Sequence, residues 1–119
     1  MSELITENAK IIETKLTMED HGCLTFWIFI EMSHGCCGIG GYCIGKGFVG
    51  AEDFTGSEIG LEAMMRIMDT VGVSSWEKLP GNYIRVRHGG LGSSVTEIGN
   101  IIEDKWFNID SFFKEKQKD

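Results

Sequence analysis

Hydrophobic and polar positions follow a period of two over much of the chain and switch to a helical period once. Ala9 to Thr17 alternates, and Cys23 to Met32, CLTFWIFIEM, is dense in aromatic and β-branched residues. Both are predicted strands, the second a central one. MEDHG, Met18 to Gly22, is the polar turn between them, and Gly41 to Ile44 offers a third, shorter strand. Gly45 to Gly56 reads as a long, mobile loop of glycine and polar residues. Ile59, Met64, Ile67, Met68 and Val71 then recur at helical spacing. With Ser57 as N-cap and Gly72 as the stop, they predict a helix over Glu58 to Val71. Its methionines form a core face, because Met adapts to irregular packing.

Ser74 to Leu79 predicts one short helical turn, ended by Pro80-Gly81. Tyr83 to His88, YIRVRH, alternates cleanly; Gly89 to Ser94 is a hairpin loop and Val95 to Ile102 the returning strand. Asn108 caps a short last helix holding Phe112 and Phe113, and KEKQKD, residues 114–119, is a solvated tail. Strands and helices do not alternate. The order predicts an α+β fold, an antiparallel sheet of about five strands with the main helix packed on one face and a short C-terminal helix. TENAKIIETK and TEIGNIIEDK share Thr, Glu, Ile, Ile, Glu and Lys in register, an isolated echo that implies no duplicated unit.

A length of 119 residues is that of one domain, 1–119, large enough to build a core without staples. The net charge of −7 argues against a basic nucleic-acid or membrane-surface binder. It permits an acidic surface for a basic partner, with Glu13, Glu19, Asp20, Glu31, Glu52, Asp53, Glu58 and Glu62 as candidates. Arg85 and Arg87 share a strand face with His88 beside them, and are expected to pair with Glu97 or Glu103 across the hairpin. MSELITENAK carries no secretory pattern, and no apolar run approaches the ~18–20 residues of a membrane span. The expected setting is a reducing cytoplasm, where free thiols or thiolate ligands replace disulfides.

That setting focuses attention on HGCCGIGGYC, His34 to Cys43, which holds three of the four cysteines. His34, Cys36, Cys37 and Cys43 make up the donor set of a three-cysteine, one-histidine zinc site, and soft thiolates with imidazole favour zinc over calcium or magnesium. The spacing is not a standard knuckle, since Cys36 and Cys37 point apart in an extended chain. His21 and Cys23 form a second donor pair on one strand face. A hairpin turning around Gly35 to Gly40 would leave Cys23 roughly 20 Å from Cys43. Another strand order would allow a set of His21, Cys23, Cys36 and Cys43. A cysteine nucleophile lacks any flanking signature, and the GxGG of Gly38 to Gly41 lacks the helix and acidic residue of a dinucleotide loop. Clustering favours a structural zinc over a plain glycine turn with buried thiols.

MEDHGCLTFW, CGIGGYC, and SSWEKLPGNYIRVRH followed by IGNIIEDKWF resemble a family of short bacteriophage and prophage proteins, over about Ala9 to Phe113. Trp76, Gly81, Val86, Trp106 and Phe107 stand where that family's pattern places them, a pattern of fold that carries no catalytic motif. Among small phage proteins, an acidic domain with a zinc cluster also looks like an anti-CRISPR inhibitor of a type II RNA-guided nuclease. The resemblance implies a non-enzymatic inhibitor acting in the host bacterial cytoplasm. It would bind the host CRISPR effector nuclease, contact no nucleic acid directly, and block target DNA loading or cleavage. The alternatives are a small metal-dependent or nucleotide-handling phage enzyme, with an open zinc position beside Glu19 or Asp20, and a structural protein assembling through an exposed strand edge.

Overall fold

The computed structural model describes residues 4–19, 21–90 and 93–116. Seven strands form one curled antiparallel sheet: β1 (Ile5–Met18), β2 (Cys23–Met32), β3 (Gly35–Lys46), β4 (Thr55–Gly56), β5 (Tyr83–His88), β6 (Glu97–Asn100) and β7 (Trp106–Asn108), in the order β4-β3-β2-β1-β5-β6-β7. Helices α1 (Glu58–Val71) and α2 (Ile109–Lys116) complete it. The α+β architecture is as expected, but the sheet has seven strands rather than about five. The two extra strands, Thr55–Gly56 and Trp106–Asn108, are two and three residues long, too short for any period to show.

Helix α1 begins and ends where its caps dictate. The Ser57 hydroxyl accepts the Gly60 N–H at 3.0 Å, and Gly72 closes the helix in the left-handed region at φ 98°. Between β4 and β5 the chain crosses the sheet through α1, which lets β5 pair with β1 in place of β4. Helix α1 presses so closely on β3 that a Cβ at Gly60 would collide with Ile44. Ala63 and Ile67 pack with Ile11, Phe26, Ile28, Ile30, Ile39, Ile84, Val86 and Ile98 of the sheet, all buried. Each such aliphatic or aromatic side chain contributes about 1.5–3 kcal/mol.

Among the described residues, no helix covers the other sheet face. Trp27 stacks on Phe29 there, and the guanidinium groups of Arg85 and Arg87 lie 4.8 and 3.7 Å from the Trp106 ring centre. Arg87 pairs with Glu97 at 3.4 Å as expected, whereas Arg85 donates to the Asn100 and Glu103 carbonyls. Lys114 to Lys116, expected in a solvated tail, are exposed and form the last residues of α2, and 117–119 lie outside the described residues.

The third strand corrects the sequence reading most. It begins at Gly35, not Gly41, because the hairpin turns through Ser33 and His34 and pairs Met32 with Gly35. The glycines of the motif are therefore strand residues. Gly40 and Gly41, at φ 136° and 84°, sit at a register shift that lets the Trp27 ring lie across β3. Of the echoed segments, Ile11 lies within β1, while Ile101 and Ile102 bend away after β6 ends at Asn100.

Candidate metal centre

Moving the hairpin turn redistributes the predicted donors. Cys43 faces Thr25 at the far end of β2, where it is joined to Cys23 in a disulfide with Cα atoms 5.4 Å apart. The expectations that disulfides are absent and that these residues lie about 20 Å apart are both corrected. Turning at Ser33–His34 slides β3 along β2, so that Cys43 pairs with Thr25 and its sulfur reaches Cys23 diagonally. Cys43 is then about 20 Å of strand away from Cys36, so His34, Cys36, Cys37 and Cys43 are not brought together. The set of His21, Cys23, Cys36 and Cys43 is split in the same way. His21 sits just beyond the disulfide end of β2, far from Cys36, and lines a cavity with Lys46, Phe48 and Asp53. Glu19 accepts hydrogen bonds from Thr25 and Trp27, and Asp20 lies outside the described residues.

His34 has different company. Strand register puts Ile5 opposite His88 and Glu7 opposite Val86, so Glu7 and His88 are diagonal neighbours on the helix-side face. Extending the pairing of Lys10 with Glu31 by three residues brings His34, in the hairpin turn, beside Glu7. The donor atoms of Glu7, His34 and His88 all lie within 4.8 Å of one another, a group that could hold a metal ion. One carboxylate and two imidazoles suit zinc or iron(II), and three donors leave coordination positions open.

Protons hold the group together without a metal. Glu7 Oε2 lies 2.5 Å from His88 Nε2 and 3.1 Å from His34 Nε2. The Gly90 N–H donates to His88 Nδ1 at 3.0 Å, which fixes the ring proton on Nε2, where it is donated to Glu7. The hydrogen bond from His88, followed by that from His34, holds the Glu7 carboxyl below its usual range against a desolvation that opposes it. A metal on His88 Nε2 moves the ring proton to Nδ1 and breaks the Gly90 hydrogen bond. That loss is about 1 kcal/mol, against roughly 10–16 kcal/mol for a structural zinc. An ion bound there would therefore have to offset only the lost Gly90 hydrogen bond, with a local shift at the turn after β5.

Two cavities open onto the group. One of about 170 Å³ is lined by His34, Cys36, Cys37, His88 and Ser93, with Met32 and Val95 among its apolar walls. The other, about 350 Å³, is lined by Ile5, Glu7, His34, His88 and Gly90. Cys36 and Cys37 are free thiols, exposed and half-buried respectively. Burial, reinforced by Cys36 and Glu7, pushes the Cys37 thiol up.

Of the group that the structure brings together, sequence reasoning singled out His34 and passed over Glu7 and His88 as ligands. Glu7 and His88 are 81 residues apart, and only the β1–β5 register joins them. The one local signal was His88 ending a strand on a face otherwise apolar. No helix among the described residues is long and apolar enough to cross a membrane. No protein-family model matches the chain, and no curated protein or solved structure matches it.

Proposed function

We propose that the protein is an interaction domain that acts by binding a protein partner, with zinc held at Glu7, His34 and His88. The observation that carries this reading is the loop between β3 and β4. Phe48 and Phe54 are each 60% exposed and Val49 90%, and Glu52, Asp53 and Glu58 are exposed around them. Large apolar side chains left in water beside acidic ones suit a partner surface with apolar pockets and a basic rim. At the opposite end of β3, zinc would pin the hairpin turn to β1 and β5.

The resemblance to small phage proteins supplies the partner: a host type II RNA-guided nuclease, whose basic nucleic-acid groove an acidic inhibitor would occupy or obstruct. Co-purification with such a nuclease, weakened by salt and by Phe48→Ala with Val49→Ser, is the expected result. Absence of a complex at low salt overturns the partner. This partner places the protein in the host cytoplasm, where Cys23 and Cys43 would be held as thiols.

A metal-dependent enzyme is the second reading, favoured by the open positions that three donors leave beside a cavity. Zinc-dependent hydrolysis of a phosphate ester, lost in His34→Ala, would support it. Closure of the zinc by four protein donors would remove it.

A further inference from the structure

We propose that Cys37 is the fourth donor of the centre, so that Glu7, His34, His88 and Cys37 close around a soft divalent ion of the zinc class. This rests on the metal reading above and extends it from three donors to four; the Cys37 sulfur stands outside the 4.8 Å group of Glu7, His34 and His88, and closing on the ion would draw it in. Cys37 pairs with Ile30, and Ile30 with Ile11, both isoleucines buried beneath the helix. Cys37 therefore projects from the same face as Glu7 and His88. Its neighbour Cys36 pairs with the exposed Glu31 and alternates to the opposite face. The motif's adjacent cysteines are thus separated by the strand itself, and one of them is delivered to the cavity that His34 and His88 line.

The surroundings suit a ligand. Cys37 is one of two cysteines outside the disulfide, and it is half-buried against the core rather than open to solvent. Met32 and Val95 wall the cavity and limit its water, which favours a coordinate bond from sulfur over hydration of the ion. Binding transfers the thiol proton to solvent and forms one metal–sulfur bond. With the Glu7 carboxylate, the thiolate balances the charge of a divalent ion. One sulfur, two nitrogens and one oxygen make up a four-coordinate zinc set and disfavour calcium and magnesium, which take oxygen donors.

Cobalt(II), a spectroscopic stand-in for zinc, tests this on the full chain. The titration is run with the Cys23–Cys43 disulfide intact, and in parallel on the Cys23→Ser/Cys43→Ser variant, so that neither thiol of that pair can act as a ligand. The expected wild-type result is stoichiometric binding with a near-ultraviolet sulfur-to-cobalt charge-transfer band and the intense visible absorption of a tetrahedral ion. Cys37→Ser should lose the charge-transfer band and bind cobalt(II) and zinc(II) at least tenfold more weakly. Cys36→Ser should match the wild type in both. Binding without the band overturns the fourth donor and leaves the three-donor centre standing. A band that survives in Cys37→Ser but disappears in Cys36→Ser overturns it too. No binding of either ion by the wild type overturns the centre as a whole.

Discussion

Reducing the bond between Cys23 and Cys43 is the sharpest test of the sheet register. The two residues are 20 apart in sequence, and the β2–β3 ladder already holds their strands side by side. Removing the bond therefore leaves the native contacts in place and acts on the unfolded chain, which regains the freedom of a loop of that length. The chain-entropy relation gives about 3 kcal/mol for such a loop at 25 °C. For a chain of 119 residues, at about 4 °C per kcal/mol, the melting point should fall by about 12 °C. Urea unfolding followed by tryptophan fluorescence, with and without a phosphine reductant, measures the free-energy difference. The Cys23→Ala/Cys43→Ala variant should coincide with the reduced wild type. Protein denatured without reductant should show only the thiols of Cys36 and Cys37. Four reactive thiols under those conditions refute the pairing. Coincident unfolding curves refute the entropic argument, because they mean that the unfolded chain keeps the hairpin closed.

Three further outcomes follow from single sites. Gly99→Ala should destabilise by about 1–3 kcal/mol, the usual cost of overpacking. Its Cβ would meet the Trp106 ring at 2.5 Å while Arg85 and Arg87 lie against that same ring, and an unchanged urea midpoint would mean that Trp106 is free to move. Ser57→Ala should cost about 1 kcal/mol by removing the acceptor for the Gly60 N–H, and Ser57→Asp should restore it. Glu7, whose carboxyl is held below its usual range, should contribute stability above the ordinary carboxylate range that is lost as pH falls through its depressed folded value. Wild type and Glu7→Gln should therefore differ most near neutral pH and converge in acid, and a gap independent of pH would show that the Glu7 charge is not involved.

What could be read from the chain follows from how local each signal is. The bounds of α1 were legible because a capping serine, a helical stripe and a stopping glycine all lie within the element itself. The bounds of β2 and β5 were legible for the same reason, each being a dense or alternating run flanked by turns. Strand β3 was not, because Gly38, Gly40 and Gly41 carry no side chain to show a period, and glycine is the usual mark of a loop. These glycines are required by the neighbouring strand. A Cβ at Gly38 would press on Trp27 and Phe29, and one at Gly41 would meet the Trp27 indole at 2.8 Å. The cause of the glycine run is thus an aromatic pair on β2, and no inspection of HGCCGIGGYC alone reveals it.

The same displacement explains how the donors were misassigned. Placing the turn at Gly35 to Gly40 treats His34, Cys36, Cys37 and Cys43 as one loop, within which any donor can reach a common ion. An extended β3 imposes two separate constraints: alternation divides Cys36 from Cys37, and length divides both from Cys43. Each thiol then takes the partners its strand position offers. Cys43 meets Cys23 across the ladder, Cys37 faces the cavity shared by His34 and His88, and Cys36 is exposed on the bare face. The two ends of β3 consequently depend on different chemistry. Oxidation should stabilise the end that carries Cys43, whereas metal should stabilise the end that carries His34. In a reducing compartment containing zinc the first contribution disappears and the second persists. Loss of about 3 kcal/mol is survivable for a domain whose total stability is of the usual 5–15 kcal/mol, and zinc at the hairpin turn would offset part of it.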